Sequence, residues 1–407
     1  MVIDLSTVMT KHSMMTAYTS ARGGRHTNSP SLPSDPGAEG GPEAAFAASV
    51  SHEQRRRLGQ FFTPEPVARL MTDWIVANDP VLILDPAVGP GIFPRVMAQR
   101  LTAKARMVCV DVDSSALDAM RRGLNGSSPL QVEERLGDFL VMPIADRFDA
   151  IIANPPYLRH HAMAYDFDVF ASIGGAAGVS ISRLTNSYIL FLLRCATLLK
   201  PGGRMCFIVP AEWTNSNFGQ PVKEYLLDRG LLRRMAYFNH ATDIFENALT
   251  TSCILFIESG PTTSPTLPIH YIPSDTAFEA LTSLNVLVST VPVTEVPRAA
   301  LRASKKWDSL IRNGETRMPP GFVQLGDIAA TKRGIATGAN EFFHLPGEQA
   351  NVAGISPQHL KPCVGKASDV TGYIFTDEDL DRLIRSKGRS QLVTFGRELT
   401  LRCYVCS

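Results

Sequence analysis

Several classes of protein leave marks that this 407-residue chain lacks. No apolar run reaches the roughly 20 residues that a membrane-spanning helix needs, and no signal-peptide pattern opens the sequence. Seven cysteines form no framework. Cys109, Cys195, Cys206 and Cys253 lie in apolar runs and read as small core residues. Cys403 and Cys406 have metal-like spacing but no second pair, and no partner stands at ligand spacing from His160-His161, so no metal site is expected. The two histidines read instead as a polar loop contact. A cytoplasmic protein in a reducing compartment is the expectation. Charge of one sign is also scarce: the net value is +1, from 40 Lys and Arg against 39 Asp and Glu. Attraction to a polyanion must then come from a local surplus. One such surplus, 15 Lys and Arg against 11 Asp and Glu, runs from Arg302 onward. Arg55-Arg56-Arg57 is a second basic run, read equally as a solvated helix end or a phosphate contact.

What is present is a set of strand-like runs, each ending in a residue that can bind. A hydrophobic fraction of 44% supports sizeable cores, and this length corresponds to about 2–3 domains. Val81–Leu84 reads as a buried parallel strand closed by Asp85, and Pro86-Ala87-Val88-Gly89-Pro90-Gly91 makes a tight turn into a helix near Phe93–Leu101. Glycines there let backbone approach a ligand. A dinucleotide loop wants glycine or alanine at its third position, where this chain has Pro94. Met107–Asp111 is a second acid-ended strand, suited to ribose hydroxyls. Leu130–Leu136 leads to Gly137-Asp138-Phe139-Leu140, in which Asp138 reads as an acceptor for an amine with Phe139 beside it, or as a helix cap.

The tetrapeptide Asn154-Pro155-Pro156-Tyr157 follows the strand-like run Asp149–Ala153. It sets a carboxamide, a rigid turn with a free carbonyl and an aromatic ring at a strand tip. Asn154 Oδ1 and the Pro155 carbonyl suit the two protons of a planar exocyclic amine, and Tyr157 suits the face of the base that carries it. Asp85, Asp111, Asp138 and Asn154 each stand at or just after the end of a strand. In a doubly wound sheet all four share the rim where ligands bind.

With these motifs in this order the chain resembles the gamma-class S-adenosylmethionine-dependent DNA adenine-N6 methyltransferases of restriction–modification systems. The family opens on a segment like Leu58-Gly59-Gln60-Phe61-Phe62-Thr63-Pro64. The resemblance implies that Phe62, Thr63 and Pro64 cover the methionine end of the cofactor, and that Asp85, Pro86, Ala87, Gly89 and Gly91 hold it. Asp111 and Val112 would bind the ribose, Asp138 and Phe139 the adenine, with Asn154 between cofactor and substrate. Asn186–Leu193 resembles the helix under the family's active site, and Met205–Val209 its fifth strand. Phe245 resembles the ring that stacks a flipped base opposite Tyr157. Contacts to double-stranded DNA are expected at Arg159, Lys332, Arg333, Thr337 and Asn340.

The implied fold is α/β: a doubly wound, mostly parallel seven-stranded Rossmann-like sheet with a smaller C-terminal DNA-recognition domain. Residues 1–50, rich in Ser, Gly, Pro and Thr, are expected to be a disordered extension, with Met14 or Met15 as alternative starts. Residues 51–260 are expected to form the catalytic domain and 261–320 a linker and connecting segment. Residues 321–407 are expected to be a partial target-recognition domain. A monomer associated with the nucleoid through DNA is implied, with a separately encoded restriction endonuclease and no membrane. Three other readings stay open: an RNA base methyltransferase, a release-factor glutamine amide methyltransferase and a non-catalytic specificity subunit.

Overall fold

The acid-ended apolar runs become neighbouring parallel strands in the computed structural model. It describes residues 42–51, 53, 57–124, 128–163, 165–238, 251–273, 280–312, 321, 323, 325–328, 340–366, 369–370, 375–386 and 388–394. In chain order the first elements are α1 (Pro42–Ser49), α2 (Glu65–Val76), β1 (Leu82–Asp85), α3 (Ile92–Arg100) and β2 (Ala105–Asp111). Then come α4 (Ser114–Gly123), β3 (Leu130–Leu136), β4 (Phe148–Ala153), α5 (Phe167–Ala177), α6 (Ser187–Leu198) and β5 (Leu199–Pro210). The unit closes with α7 (Gln220–Asp228), β6 (Leu232–Phe238), β7 (Ser252–Glu258), β8 (Thr266–Ile272), α8 (Leu284–Thr290), β9 (Val293–Pro297) and α9 (Arg298–Ala303).

One sheet runs in the order β3-β2-β1-β4-β5-β7-β6-β8-β9. The strands from β3 to β5 are parallel, and β7 runs antiparallel to both β5 and β6. Ile83, Leu84, Ile151 and Ile152 are fully buried, because helices cover both faces of such a sheet and leave its strands no polar side. One core gathers α5, α6 and α7 against the sheet, and the other gathers α2, α3 and α4. Helix α2 shows why it lies there: Val67, Leu70, Met71 and Ile75 fall on one buried stripe at helical spacing. Chain order reverses between β1 and β4, so their C-terminal ends flank a crevice.

Two expectations need correction. The extension through residue 50 is not wholly unstructured, since α1 buries Phe46 and Val50 against Ala116 and Ala119 of α4, with Phe62 packed alongside. Arg95 on α3 ties it down, donating to Glu43 at 2.7 Å and to Glu65 at 2.9 Å. The segment after residue 260 is also more than a connection. Strand β8 pairs parallel with β6 and β9 pairs antiparallel with β8, so the sheet has nine strands rather than seven. Trp307 is fully buried beyond them. Its ring lies 5.4 Å from that of Trp213, and its indole N–H donates to the Leu301 carbonyl at 3.0 Å. The described residues through Arg312 thus belong to this unit.

Residues 319–407 belong to a separate unit. Its described part holds a three-stranded antiparallel sheet, β10 (His344–Leu345), β11 (Leu360–Pro362) and β12 (Gln391–Val393), in the order β10-β12-β11. A helix over Asp377–Arg385 starts in a capping box of Thr376 and Asp379, which satisfies backbone N–H groups that the first turn leaves open.

If residues 298–312 complete the larger core, Trp307→Ala should destabilise that unit by about 3–5 kcal/mol. Urea denaturation at an unchanged slope checks it. A loss below about 1 kcal/mol, within the range of ordinary surface substitutions, would return this segment to the role of a tether.

Candidate active site

The parallel strands bring their C-terminal ends to one rim, and a cavity of about 220 Å³ opens there. Its wall takes in Phe62, Thr63, Pro86, Ala87, Gly89, Asp111, Val112, Asp138, Phe139, Asn154 and Pro156. Most of the expected cofactor residues therefore meet in one place. Glu43 from α1 and Tyr165 also line it, and no motif had marked them; Leu58 and Ser187 join them from the Leu58–Pro64 segment and the Asn186–Leu193 helix.

The glycine turn is held open by an acid. Asp111 at the end of β2 accepts from the Gly89 amide at 2.8 Å and from the Asp113 amide at 2.9 Å, so its carboxylate bridges two loops. Burial raises its carboxyl above the ordinary value. Gly89 has φ 54°, and a Cβ built there meets nothing within 4 Å among the described residues. The turn thus offers bare backbone and free space to a ligand.

Asp85, Gly91 and Pro64 lie outside the cavity wall, contrary to expectation. The Asp85 side chain is fully buried under the turn, where Oδ1 accepts from the Ala87 amide at 3.2 Å and Oδ2 has no partner among the described residues. Burial, with the nearby Asp111 charge adding to it, pushes this carboxyl well up. Gly91 is the N-cap of α3 at φ 98°, and a Cβ would lie 2.5 Å from Met120 Cγ. Its glycine serves packing. Pro64 is the extended N-cap of α2.

At the far end, Asp138 accepts from the Leu140 amide at 2.8 Å through Oδ1 and from the Tyr165 hydroxyl at 2.7 Å through Oδ2. It is therefore a local cap and a cavity residue at once. Phe139 is 1% exposed, its ring 5.3 Å from Phe191 and 4.9 Å from the Arg194 guanidinium. Val112, by contrast, is 56% exposed, and it gives this end an apolar lip.

The Asn154–Tyr157 turn is clamped from two sides. The Asn154 amide donates to the Phe61 carbonyl at 2.6 Å and to the Thr63 hydroxyl at 3.0 Å. With both protons committed, the amide has one orientation, and its Oδ1 is buried without any partner among the described residues. Such an orphan acceptor in a cavity wall calls for a ligand donor. Tyr157 donates its backbone N–H to Gly59 at 2.9 Å, and Gly59 has φ 63°. A Cβ at Gly59 would stand 2.8 Å from that nitrogen, so only glycine permits the approach. On the other side, Ser187 Oγ donates to the Pro156 carbonyl and accepts from the Leu158 amide.

Tyr157 does not line the cavity. Its ring stacks on Phe61 with centroids 5.0 Å apart, and its hydroxyl donates to the Ile208 carbonyl at 3.2 Å. Burial raises the phenol well above its ordinary value. Pro155 is buried beside Pro156. Arg159 is exposed just beyond the turn, ahead of a short 3-10 helix at His160–Ala162. Phe245, Lys332, Arg333, Thr337, Arg55, Arg56, Cys403 and Cys406 lie outside the described residues. Asn340 opens a short helix, Asn340–Phe343.

Residues 120–245 match the Eco57I restriction-modification methylase family, and residues 309–404 match the C-terminal domain of Type II methyltransferase M.Eco57I. Over 353 residues the chain is 28% identical to Type II methyltransferase M.AccI of Acinetobacter calcoaceticus, covering 84% of this chain and 63% of that protein. It is 30% identical over 321 residues to Type II methyltransferase M.XamI of Xanthomonas campestris pv. amaranthicola, covering 77% of this chain and 58% of that protein. The chain thus spans less than two thirds of the length of these relatives. A crystal structure of the type IIG restriction endonuclease BpuSI overlays with a TM-score of 0.49 at 16% identity, covering 85% of this chain and 41% of that one.

The buried Asp85 makes a test by pH. Its folded value lies above the ordinary 3.8, so the folded chain keeps a proton that the unfolded chain has released. Stability therefore falls as pH rises from 3.8 towards the folded value, and the full penalty applies above it. Asp85→Asn keeps the acceptor for Ala87 and removes the titration. Its melting temperature should fall less than that of the wild type over this rise in pH. Parallel curves would mean that the Asp85 carboxyl has the same pKa in the folded and unfolded chains.

Proposed function

We propose, from the matches to the Eco57I restriction-modification methylase family and to Type II methyltransferases, that the chain methylates N6 of an adenine flipped out of double-stranded DNA, with S-adenosylmethionine as methyl donor. The observation that carries this reading is the buried, unpartnered Oδ1 of Asn154, held beside the cavity by an amide whose protons are both spent. When bound, S-adenosylmethionine supplies an electrophilic methyl group on a sulfonium. The cavity suits such a molecule. Asp111 and Asp138 accept from hydroxyl and amine donors, Val112 and Phe139 present apolar surface to a purine, and Gly89 leaves room against backbone.

The residues of the turn then act by position. Asn154 Oδ1 accepts one proton of the adenine amine, with Pro155 in the same turn as the expected second acceptor, and this draws the nitrogen lone pair out of the ring. No strong general base is needed, since the nitrogen becomes acidic once it carries the methyl group. Extruding the base costs a few kcal/mol. Stacking on an aromatic ring recovers roughly 1–3 kcal/mol per base, and Tyr157 offers a ring held in one orientation by Phe61 and Ile208. Phe245 is the expected second ring. Arg159, exposed just after the turn, is the expected phosphate contact, and the C-terminal unit serves target recognition. In this reading a monomer protects the sites cut by a separately encoded endonuclease.

Radiolabelled methyl transfer to DNA, RNA and a release factor tests the substrate directly, and label in RNA or protein alone would replace this proposal. On DNA, Asn154→Ala should lower turnover at least a hundredfold, about 2.7 kcal/mol in the barrier, with cofactor affinity nearly unchanged. Wild-type turnover in that variant would remove Asn154 from the chemistry. Thr63→Val takes away one of the two amide acceptors, worth about 1 kcal/mol, so kcat should drop roughly fivefold. Thr63→Ser should restore it. Wild-type kcat in Thr63→Val would show that the hydroxyl does not hold the amide.

A further inference from the structure

Tyr165 follows the Asn154–Tyr157 turn, in the segment before α5, yet it reaches the opposite end of the cavity. Its hydroxyl donates to Asp138 Oδ2 at 2.7 Å, while Oδ1 accepts from the Leu140 amide at 2.8 Å. Both side chains line the cavity. The carboxyl-bearing torsion of an aspartate is broad when nothing holds it. Here two donors, one on each oxygen, fix the plane of the Asp138 carboxylate. An ionised carboxylate has about four acceptor sites, so capacity remains for a ligand donor. The phenol is a dependable donor, because burial and then the bond to Asp138 raise its pKa above the ordinary tyrosine value.

We propose that Tyr165 is a positioning residue that sets selectivity for an amino-substituted purine at this end of the cavity. It holds Asp138 so that the remaining lone pairs face an exocyclic amine. A carboxylate in that posture accepts from an amine and repels a carbonyl oxygen at the same ring position. The phenol thereby turns a common loop acid into a reader of adenine against hypoxanthine. It also ties the segment after the substrate-side turn to the purine end. This inference rests on the assignment of the cavity to an adenosine-bearing cofactor.

Calorimetry with S-adenosylhomocysteine and its deaminated counterpart, S-inosylhomocysteine, separates the possibilities. The full chain should prefer the adenosyl compound. Tyr165→Phe keeps the ring and removes the hydroxyl. It should cut that preference on the order of tenfold, the scale of one hydrogen bond to a charged group, almost entirely by weakening the adenosyl compound. In an Asp138→Asn background the same substitution should leave the ratio unchanged. An unchanged ratio in Tyr165→Phe, or equal weakening of both ligands, would overturn the proposal and leave Tyr165 as a wall. Failure of the wild type to bind either compound would instead overturn the cofactor assignment, and this inference with it.

Discussion

The rest of the site depends on the two hydrogen bonds that the Asn154 amide gives to the Phe61 carbonyl and the Thr63 hydroxyl. A free asparagine presents a donor and an acceptor interchangeably, because its amide can turn. Committing both protons to one segment removes that choice and leaves Oδ1 as a fixed acceptor, buried and unpaired. The cost of an unmet acceptor, about 1–3 kcal/mol, is a constraint that a ligand amine relieves. Gly59 belongs to the same arrangement, since its left-handed backbone lets this segment approach the Tyr157 amide at 2.9 Å. One stretch of chain, residues 58–63, thus lines the cavity and orients the turn that faces it.

The sheet supplies what side chains alone do not. Parallel pairing carries Asp85, Asp111 and Asn154 to the same rim, and burial on both faces keeps β1 and β4 rigid. Helices α1, α2 and α3 are joined through Arg95, whose ion pair with Glu43 is largely sheltered from solvent and whose pair with Glu65 is more exposed. That link brings Glu43 to the cavity wall from the N-terminal side.

Much of this was legible in the letters. Apolar runs that lead to Asp85, Asp111 and Asn154 announced β1, β2 and β4, and the glycines announced the turn, because strand burial and left-handed backbone each leave a local trace. The failures have physical causes. Asp85 looked like a ligand because it ends a strand, but β1 is only Leu82–Asp85 and wholly apolar before the acid, so no alternation told which way its side chain points. Strands β8 and β9 were hidden behind Ser259–Pro265 and by Pro268, letters that normally signal a loop. Helix α1, written Pro-Glu-Ala-Ala-Phe-Ala-Ala-Ser, is fixed by contacts with α4 and Phe62 rather than by its own pattern. Tyr165 is a site residue only through its tertiary partner, Asp138, and nothing local marks it.

The central claim is that a fixed amide oxygen at Asn154 takes an adenine amine. Single-molecule sequencing of plasmid DNA from cells that express the wild-type chain reads its consequence base by base. The account predicts N6-methyladenine confined to one short sequence context, and its loss when Asn154 is alanine. Methylation that persists in the alanine variant, or methyl groups on any atom other than adenine N6, would contradict it.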